Sequence, residues 1–158
     1  MAHQTKGKTK TIFETSIRDE LIHRINLLND SHKPIWGQMS VFQMLQHNTY
    51  WNGWILGNNN HTYKQSFIGK VFGMIALKRM IKDEKPFDKN IPTSDQFKMK
   101  ETNGDLEVEK LKWISLTKAY ENYDNPDFIH DFFGKMTKEQ VGILVFKHSD
   151  HHLRQFGA

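Results

Sequence analysis

Two tetrapeptides constrain the fold of this chain more than any other feature, because each defines the start of a long helix. Ser40-Val41-Phe42-Gln43 and Thr137-Lys138-Glu139-Gln140 both match the capping box. In this motif the first hydroxyl accepts a hydrogen bond from the fourth backbone amide, and the fourth side chain reaches back to the first amide. We predict one helix from the first box to about Leu56 and another from the second box to Gly157.

Apolar residues at helical spacing predict three more helices. They cover about Thr15–Asn29, Phe67–Ile81 and Asp105–Glu121. The predicted core positions are Ile17, Leu21, Ile25 and Leu28 in the first, and Leu106, Leu111, Trp113, Ile114 and Tyr120 in the last. Pro86 and Pro92 prevent a continuous helix in the region between the second and third of these helices. No segment shows the alternation of apolar and polar residues typical of a strand. We therefore predict an all-α fold, a four-helix bundle with a long crossover connection through residues 58–103.

The length of 158 residues fits one domain with one core of ordinary size. Residues 1–14 are polar and rich in lysine, so we predict a flexible basic arm there, followed by a single domain over residues 15–158. The sequence contains no cysteine, which excludes disulfides, thiolate metal ligands and a cysteine nucleophile.

Net charge and hydropathy indicate which classes of binding partner to expect. The net charge is +4, but the lysines are spread along the chain, so we expect no nucleic-acid partner. No apolar run approaches the ~20 residues of a membrane span, and the N-terminal residues do not resemble a signal peptide. We therefore expect no membrane partner and a cytoplasmic location. Phe146 and Leu153 form a second apolar strip on the last helix, which fits packing against a neighbouring element or a homodimer partner.

His148 and His152 are the first candidates for chemistry. They are four residues apart in the last predicted helix, so both side chains leave the same face one turn apart. That spacing allows two imidazoles to bind one metal ion. Nine histidines in a chain of this length give about half such a pair by chance. Taken alone, the pair is better explained as two polar residues near the end of a bundle.

His47 adds a third imidazole from a different helix. It shares its predicted helix face with Met44, Trp51 and Trp54, which would form an apolar wall beside it. A histidine among such neighbours either hydrogen-bonds within the core or binds a ligand. Three inward-facing histidines on two capped helices would leave one coordination position open, the arrangement typical of a catalytic zinc or nickel site.

Three further polar residues, Gln155, His151 and His130, are placed near this predicted centre. Gln155 shares the face of His148 and His152 and could hydrogen-bond the free ring nitrogen of a ligand histidine. His151 points to one side, either next to the ligands or towards solvent, whereas Asp150 points away and is predicted to face solvent. His130 precedes the last helix, where it would line the mouth of the pocket.

Several segments carry a resemblance to a known group of proteins. These are residues 36–40 (WGQMS), 44–47 (MLQH), 89–93 (KNIPT), 132–137 (FFGKMT) and 148–157 (HSDHHLRQFG). Together they resemble the DinB-like (DinB/YfiT-like) superfamily of predicted metalloenzymes, and more narrowly its domain-of-unknown-function branch that ends in DHHLRQFG. The resemblance spans nearly the whole chain. It implies a DinB-like four-helix bundle in which His47, His148 and His152 bind one divalent metal ion.

The resemblance also suggests an activity. Superfamily members of known activity include metal-dependent transferases that use low-molecular-weight thiols such as bacillithiol or mycothiol. Our leading hypothesis is therefore a metal-dependent transferase or hydrolase of small molecules. The alternatives are a metal-binding or stress-response protein without turnover, and a structural bundle with a vestigial site.

Overall fold

The computed structural model describes residues 9–58 and 61–158, and within these ranges the chain is mostly helical. The helices are α1 (Thr15–Leu27), α2 (Val41–Leu56), α3 (Phe67–Ile81), α4 (Leu106–Ala119) and α5 (Lys138–Gln155). Short 3₁₀ turns cover Asp95–Phe97 and Tyr120–Asn122, and an antiparallel hairpin pairs β1 (Ile129–His130) with β2 (Gly134–Lys135). The prediction of a helical fold is confirmed, but the hairpin was missed because two residues per strand are too few to show alternation.

Both predicted capping boxes are present. The Ser40 hydroxyl accepts from the Gln43 amide at 3.1 Å, and Gln43 Oε1 accepts from the Ser40 amide at 2.9 Å. Thr137 and Gln140 repeat the arrangement at the start of α5, at 3.2 and 2.9 Å. Gly57 ends α2 with φ of +83°, a conformation that glycine adopts without steric cost. These contacts fix the starts of the two helices that carry the candidate histidines.

The core lies where α4 packs against α2 and α1. All four predicted core residues of α1 are buried, and Trp113 of α4 has no exposed surface. Leu111 is the wrong prediction, because 64% of it is exposed. It is two residues before Trp113, and two residues correspond to about 200° around a helix, so the two side chains face opposite directions.

Residues 9–14 are not a free arm. Ile12 is 1% exposed, and its amide donates to the Gly142 carbonyl at 3.1 Å. The Phe13 ring packs beside Tyr120 and Tyr123, with ring centroids 6.4 and 5.6 Å away. The packed part of the chain therefore begins before α1, whereas residues 1–8 of the predicted arm lie outside the described residues.

Asp150 fixes α5 against α1. Its carboxylate accepts from Arg24 Nη1 at 2.8 Å and from Arg154 Nε at 2.7 Å, and Arg24 also donates to the Ala158 carbonyl at 2.9 Å. The prediction that Asp150 faces solvent is wrong, since only 8% of the residue is exposed. Hydrogen bonds from two guanidinium groups compensate the desolvation cost of burying this carboxylate. A single exposed ion pair would not.

Helix α3 lies against α5 and the hairpin through small residues. Its buried residues are Gly69, Gly73 and Leu77. At both glycines the helix backbone approaches the Phe132 carbonyl so closely that a Cβ atom would clash with it. Although α3 is apolar, no helix in the described parts of the chain has the length and apolar character needed to cross a membrane.

Alanine at Gly73 tests this close packing. Alanine is favoured over glycine in a helix by about 1 kcal/mol, but the clash with the Phe132 carbonyl should outweigh that gain. We expect Gly73→Ala to lower the free energy of unfolding by about 1–3 kcal/mol, the usual cost of overpacking. Urea unfolding followed by circular dichroism measures this difference.

Gly53→Ala is the matched control. A Cβ atom at Gly53 of α2 would meet its nearest neighbour, Asn58, at 3.9 Å, which is an ordinary contact. This variant should therefore be up to about 1 kcal/mol more stable than the wild type. Equal effects of the two alanines would contradict the packing described for α3.

Candidate metal centre

Three imidazoles converge between α2 and α5. His47 lies near the middle of α2, and His148 and His152 lie one turn apart on α5. The ring centroids are 5.1 Å apart for His47 and His148, 4.8 Å for His47 and His152, and 4.7 Å for His148 and His152. One nitrogen from each ring lies within 4.8 Å of the other two. The structure thus brings together the three residues that the sequence singled out.

Hydrogen bonds at Nδ1 orient two of these rings. His47 Nδ1 donates to the Phe97 carbonyl at 2.9 Å, and His152 Nδ1 donates to Gln155 Oε1 at 2.9 Å. Gln155 is itself held by donating from Nε2 to the Trp36 carbonyl at 2.8 Å. Because Nδ1 carries the proton in both rings, each Nε2 has a free lone pair, as a metal ligand requires.

His148 is held differently. Its ring stacks on the Trp51 indole, with centroids 3.8 Å apart and an angle of 14° between the planes. Its Nε2 lies 3.1 Å from Nε2 of His47, and its Nδ1 is buried without a hydrogen-bond partner in the described part of the chain. The residue as a whole is only partly buried, whereas His47 and His152 are buried. Aromatic packing therefore orients this ring.

Burial keeps the three imidazoles neutral. It lowers the pKa of His148 and of His152 well below the ordinary value of 6.5, and repulsion from neighbouring histidines, His47 among them, lowers both further. The hydrogen bond to Gln155 acts in the opposite direction on the pKa of His152. Burial also lowers the pKa of His47, although its hydrogen bond to Phe97 acts in the opposite direction. Neutral imidazole is the form that binds metal ions, so little proton competition remains near pH 7.

The distances can be compared with those of a metal site. Two nitrogens about 2.0–2.1 Å from a tetrahedral zinc ion are about 3.3 Å from each other. The 3.1 Å between His47 and His148 is close to this value, and small side-chain rotations would reduce the largest separation of 4.8 Å. Three neutral nitrogen ligands and an open fourth position suit zinc, nickel and similar ions. The residues therefore fit a single divalent cation.

Trp51, Trp54 and Met44 were predicted as an apolar wall. Trp51 covers His148 directly, as described above. Trp54 lies one layer farther out, against Phe97 at 5.0 Å and His130 at 5.2 Å between ring centroids. Met44 is fully buried in α2, where its sulfur accepts from the Asn48 amide at 3.3 Å. Of the three, only Trp51 packs its ring against one of the three clustered histidines, His148.

The other two predicted histidines lie beside the cluster. His151 is buried, with its ring centroid 5.1 Å from that of His152 and 5.5 Å from that of Trp36. His130 is buried on β1, and its Nδ1 accepts from the amides of Phe132 and Phe133 at 3.1 and 3.3 Å. Neither residue belongs to the group of converging nitrogens.

Sequence reasoning did not identify Phe97 and Trp36, although each contributes to the site. Both act through their backbone carbonyls, which accept hydrogen bonds from His47 and Gln155. Every residue has a carbonyl group, so the side-chain pattern contains no signal for these two contacts. They depend on where the connections at 28–40 and 82–105 pass over the helix ends.

The lowered pKa values predict how the metal-free protein responds to acid. Below pH 6.5 the unfolded chain protonates His148 and His152, whereas the folded chain resists, so stability falls as the pH falls. Each of these two histidines should lower the free energy of unfolding by about 1.3 kcal/mol when the pH falls from 7 to 5.5. Urea unfolding in the presence of EDTA at the two pH values measures this loss.

His148→Gln is the reference variant for this experiment, because glutamine does not titrate. Its loss of stability between the two pH values should be smaller than that of the wild type by about the contribution of one histidine. The same loss in both proteins would mean that His148 is not resisting protonation in the folded state.

Comparison with known proteins was made against curated sequences, solved structures and protein families. No curated protein and no solved structure matches the chain. A family match extends over residues 11–158, which include His47, His148, His152, Phe97 and Gln155. The chain belongs to the family described as Protein of unknown function (DUF1569).

Proposed function

We propose that this protein binds one divalent cation, Zn²⁺ or Ni²⁺, through His47, His148 and His152, and uses it in a reaction on a small molecule. One observation carries the proposal: three neutral imidazoles, two buried and one partly buried, each place a nitrogen within 4.8 Å of the other two. Packing three imidazole rings this closely without a cation lowers stability, because the desolvated lone pairs outnumber the N–H donors within the cluster.

The number of protein ligands favours catalysis over a structural role. Structural zinc sites have four protein ligands, whereas catalytic sites have three and leave a position for substrate or water. A cation held here would supply a Lewis acid that makes a nucleophile available at neutral pH. Phe97 and Gln155 would hold two ligand rings in place through Nδ1, and Trp51 would shield the site from water.

The reaction class and the detailed architecture rest on the DinB-like resemblance. We propose that α1, α2, α4 and α5 form its four-helix bundle, with α3 in the long crossover between α2 and α4. On the same basis the reaction is the transfer of a low-molecular-weight thiol, such as bacillithiol or mycothiol, to a small electrophile, or the hydrolysis of a small molecule. The partly exposed edge at His148 supports access for such a substrate.

A second candidate is a metal-binding protein without turnover. Within the described residues, the converging group consists of histidines and includes no carboxylate. The group itself therefore offers no acidic side chain for general acid–base catalysis. This observation favours a role in binding or storing the metal ion, and activity measurements separate the two candidates.

Metal binding is tested by titration of the EDTA-treated protein with Zn²⁺ or Ni²⁺ in a calorimeter. We expect one ion per wild-type chain. His148→Ala removes a metal ligand. Removing a residue that only hydrogen-bonds a ligand lowers metal affinity by roughly 10- to 100-fold, so His148→Ala should lower it by more than that. At a metal concentration about 100 times Kd, the wild type should also gain about 2.7 kcal/mol of stability.

His151→Ala is the matched control, because His151 is buried on the same turn of α5 but lies outside the converging group. Its stoichiometry and affinity should match those of the wild type. If His148→Ala bound the ion as tightly as the wild type, the three histidines would not form the metal site.

Turnover is tested with metal-loaded protein and two substrate classes. One assay follows transfer of bacillithiol or mycothiol to an activated aryl halide, and the other follows hydrolysis of an activated ester. We expect one of these reactions to depend on the metal and to be lost in His148→Ala. Tight metal binding with no turnover in either assay would favour the second candidate.

A further inference from the structure

The outward face of α3 is apolar. Six large apolar side chains on this helix are between 38% and 82% exposed. They are Phe67, Ile68, Val71, Phe72, Met74 and Ile75, and we call them the α3 outer face. Exposed apolar patches of this size on a folded protein mark surfaces that bind another molecule.

The orientation of α3 is the reverse of that expected for a surface helix. An amphipathic helix normally buries its large apolar residues and exposes polar ones. In α3 the inner side is formed by Gly69, Gly73 and Leu77, and the glycines allow the backbone to lie directly on the Phe132 carbonyl. Rotating the helix to bury the outer face would place phenylalanine or isoleucine side chains against that carbonyl. The close packing of the glycines therefore keeps the large side chains facing outwards.

Cations share α3 with this apolar face. Lys70, Lys78 and Arg79 of α3 are exposed, and the helix contains no aspartate or glutamate. The exposed Lys64 and Lys82 flank it, and Asp83 and Glu84 follow Lys82. Apolar side chains together with Lys and Arg on one short helix are the composition of helices that lie in the interface of an anionic membrane. Each cation near such a surface strengthens binding by about fivefold.

We propose that the α3 outer face binds the surface of a lipid bilayer that contains anionic lipids. The helix lies in the interface, with the apolar side chains among the acyl chains and the cations at the phosphates. Charge favours this partner over a second copy of the chain, because two copies of α3 would bring three cations against three cations with no acidic residue on either helix. The expectation of no membrane partner depended on the lack of a spanning segment, and interfacial binding does not require one.

Co-sedimentation with vesicles tests the proposal on the full-length protein as purified. One set of vesicles contains phosphatidylcholine alone, and the other contains about one third phosphatidylglycerol. We expect the wild type to bind the anionic vesicles and to bind the neutral ones about 100-fold more weakly, since the three cations of α3 each contribute about fivefold. Ile75→Glu should reduce binding to the anionic vesicles by about tenfold or more, because it places a carboxylate in the apolar layer.

Leu111→Glu is the matched control, since Leu111 is exposed to a similar degree on α4. It should bind as the wild type does. Phe72→Ser combined with Ile75→Ser removes apolar surface without adding charge and should also weaken binding. Circular dichroism and the urea midpoint show whether each variant is folded, which is expected for exposed positions.

Insertion of the helix can be measured directly, because the sequence contains no cysteine. An environment-sensitive fluorophore attached to Ile75→Cys should shift its emission to shorter wavelength on anionic vesicles, whereas the same label at Leu111→Cys should not. The proposal fails if the wild type does not bind the anionic vesicles, or if Ile75→Glu and Leu111→Glu bind equally. It also fails if the protein is a dimer in solution that Ile75→Glu converts to monomer.

Discussion

Placing three neutral imidazoles close together inside a protein constrains the rest of this structure. Each ring loses hydration on burial, and each lone pair faces another lone pair unless a proton or a cation lies between them. Such a cluster persists only if the backbone on both sides is held firmly. The capping boxes at Ser40 and Thr137 hold the starts of the two helices, and the Nδ1 hydrogen bonds of His47 and His152 fix their rings.

The opposite face of α5 makes an equally specific contact. Asp150 lies between His148 and His152 in the sequence, and it points away from them to accept from Arg24 and Arg154. Because Arg24 belongs to α1, this contact fixes the rotation of α5 about its own axis. A rotation of one residue, about 100°, would remove both histidines from the site. The ion pairs of Asp150 and the convergence of the three histidines are therefore two consequences of one helix orientation.

Local signals predicted much of this structure, and contacts between distant segments account for the rest. Hydroxyl and amide side chains three residues apart identify a helix start, and an i, i+4 pair of histidines must share a face. The exposure of Leu111 and the burial of Ile12 depend instead on which neighbouring segment covers each position. The ring orientation of His47 depends on the Phe97 carbonyl, which leaves no trace in the side-chain sequence. The direction of the α3 apolar face follows from the glycines that pack on Phe132, since its hydrophobic pattern is nearly uniform around the helix.

Nδ1 of His148 has no hydrogen-bond partner among residues 9–58 and 61–158, which indicates how this ring could respond if the cluster held a cation. His47 Nε2 has no proton, so at 3.1 Å it can accept one only from His148 Nε2, and His148 Nδ1 is then an unfilled acceptor. A cation held at His148 Nε2 would take the place of that proton, and the neutral ring would then carry its proton at Nδ1. Stacking on Trp51 permits either tautomer, whereas a fixed hydrogen bond at Nδ1 would permit one. His148, whose Nδ1 has no hydrogen bond within the described residues, is thus the ring whose proton could move to Nδ1 if a cation occupied Nε2.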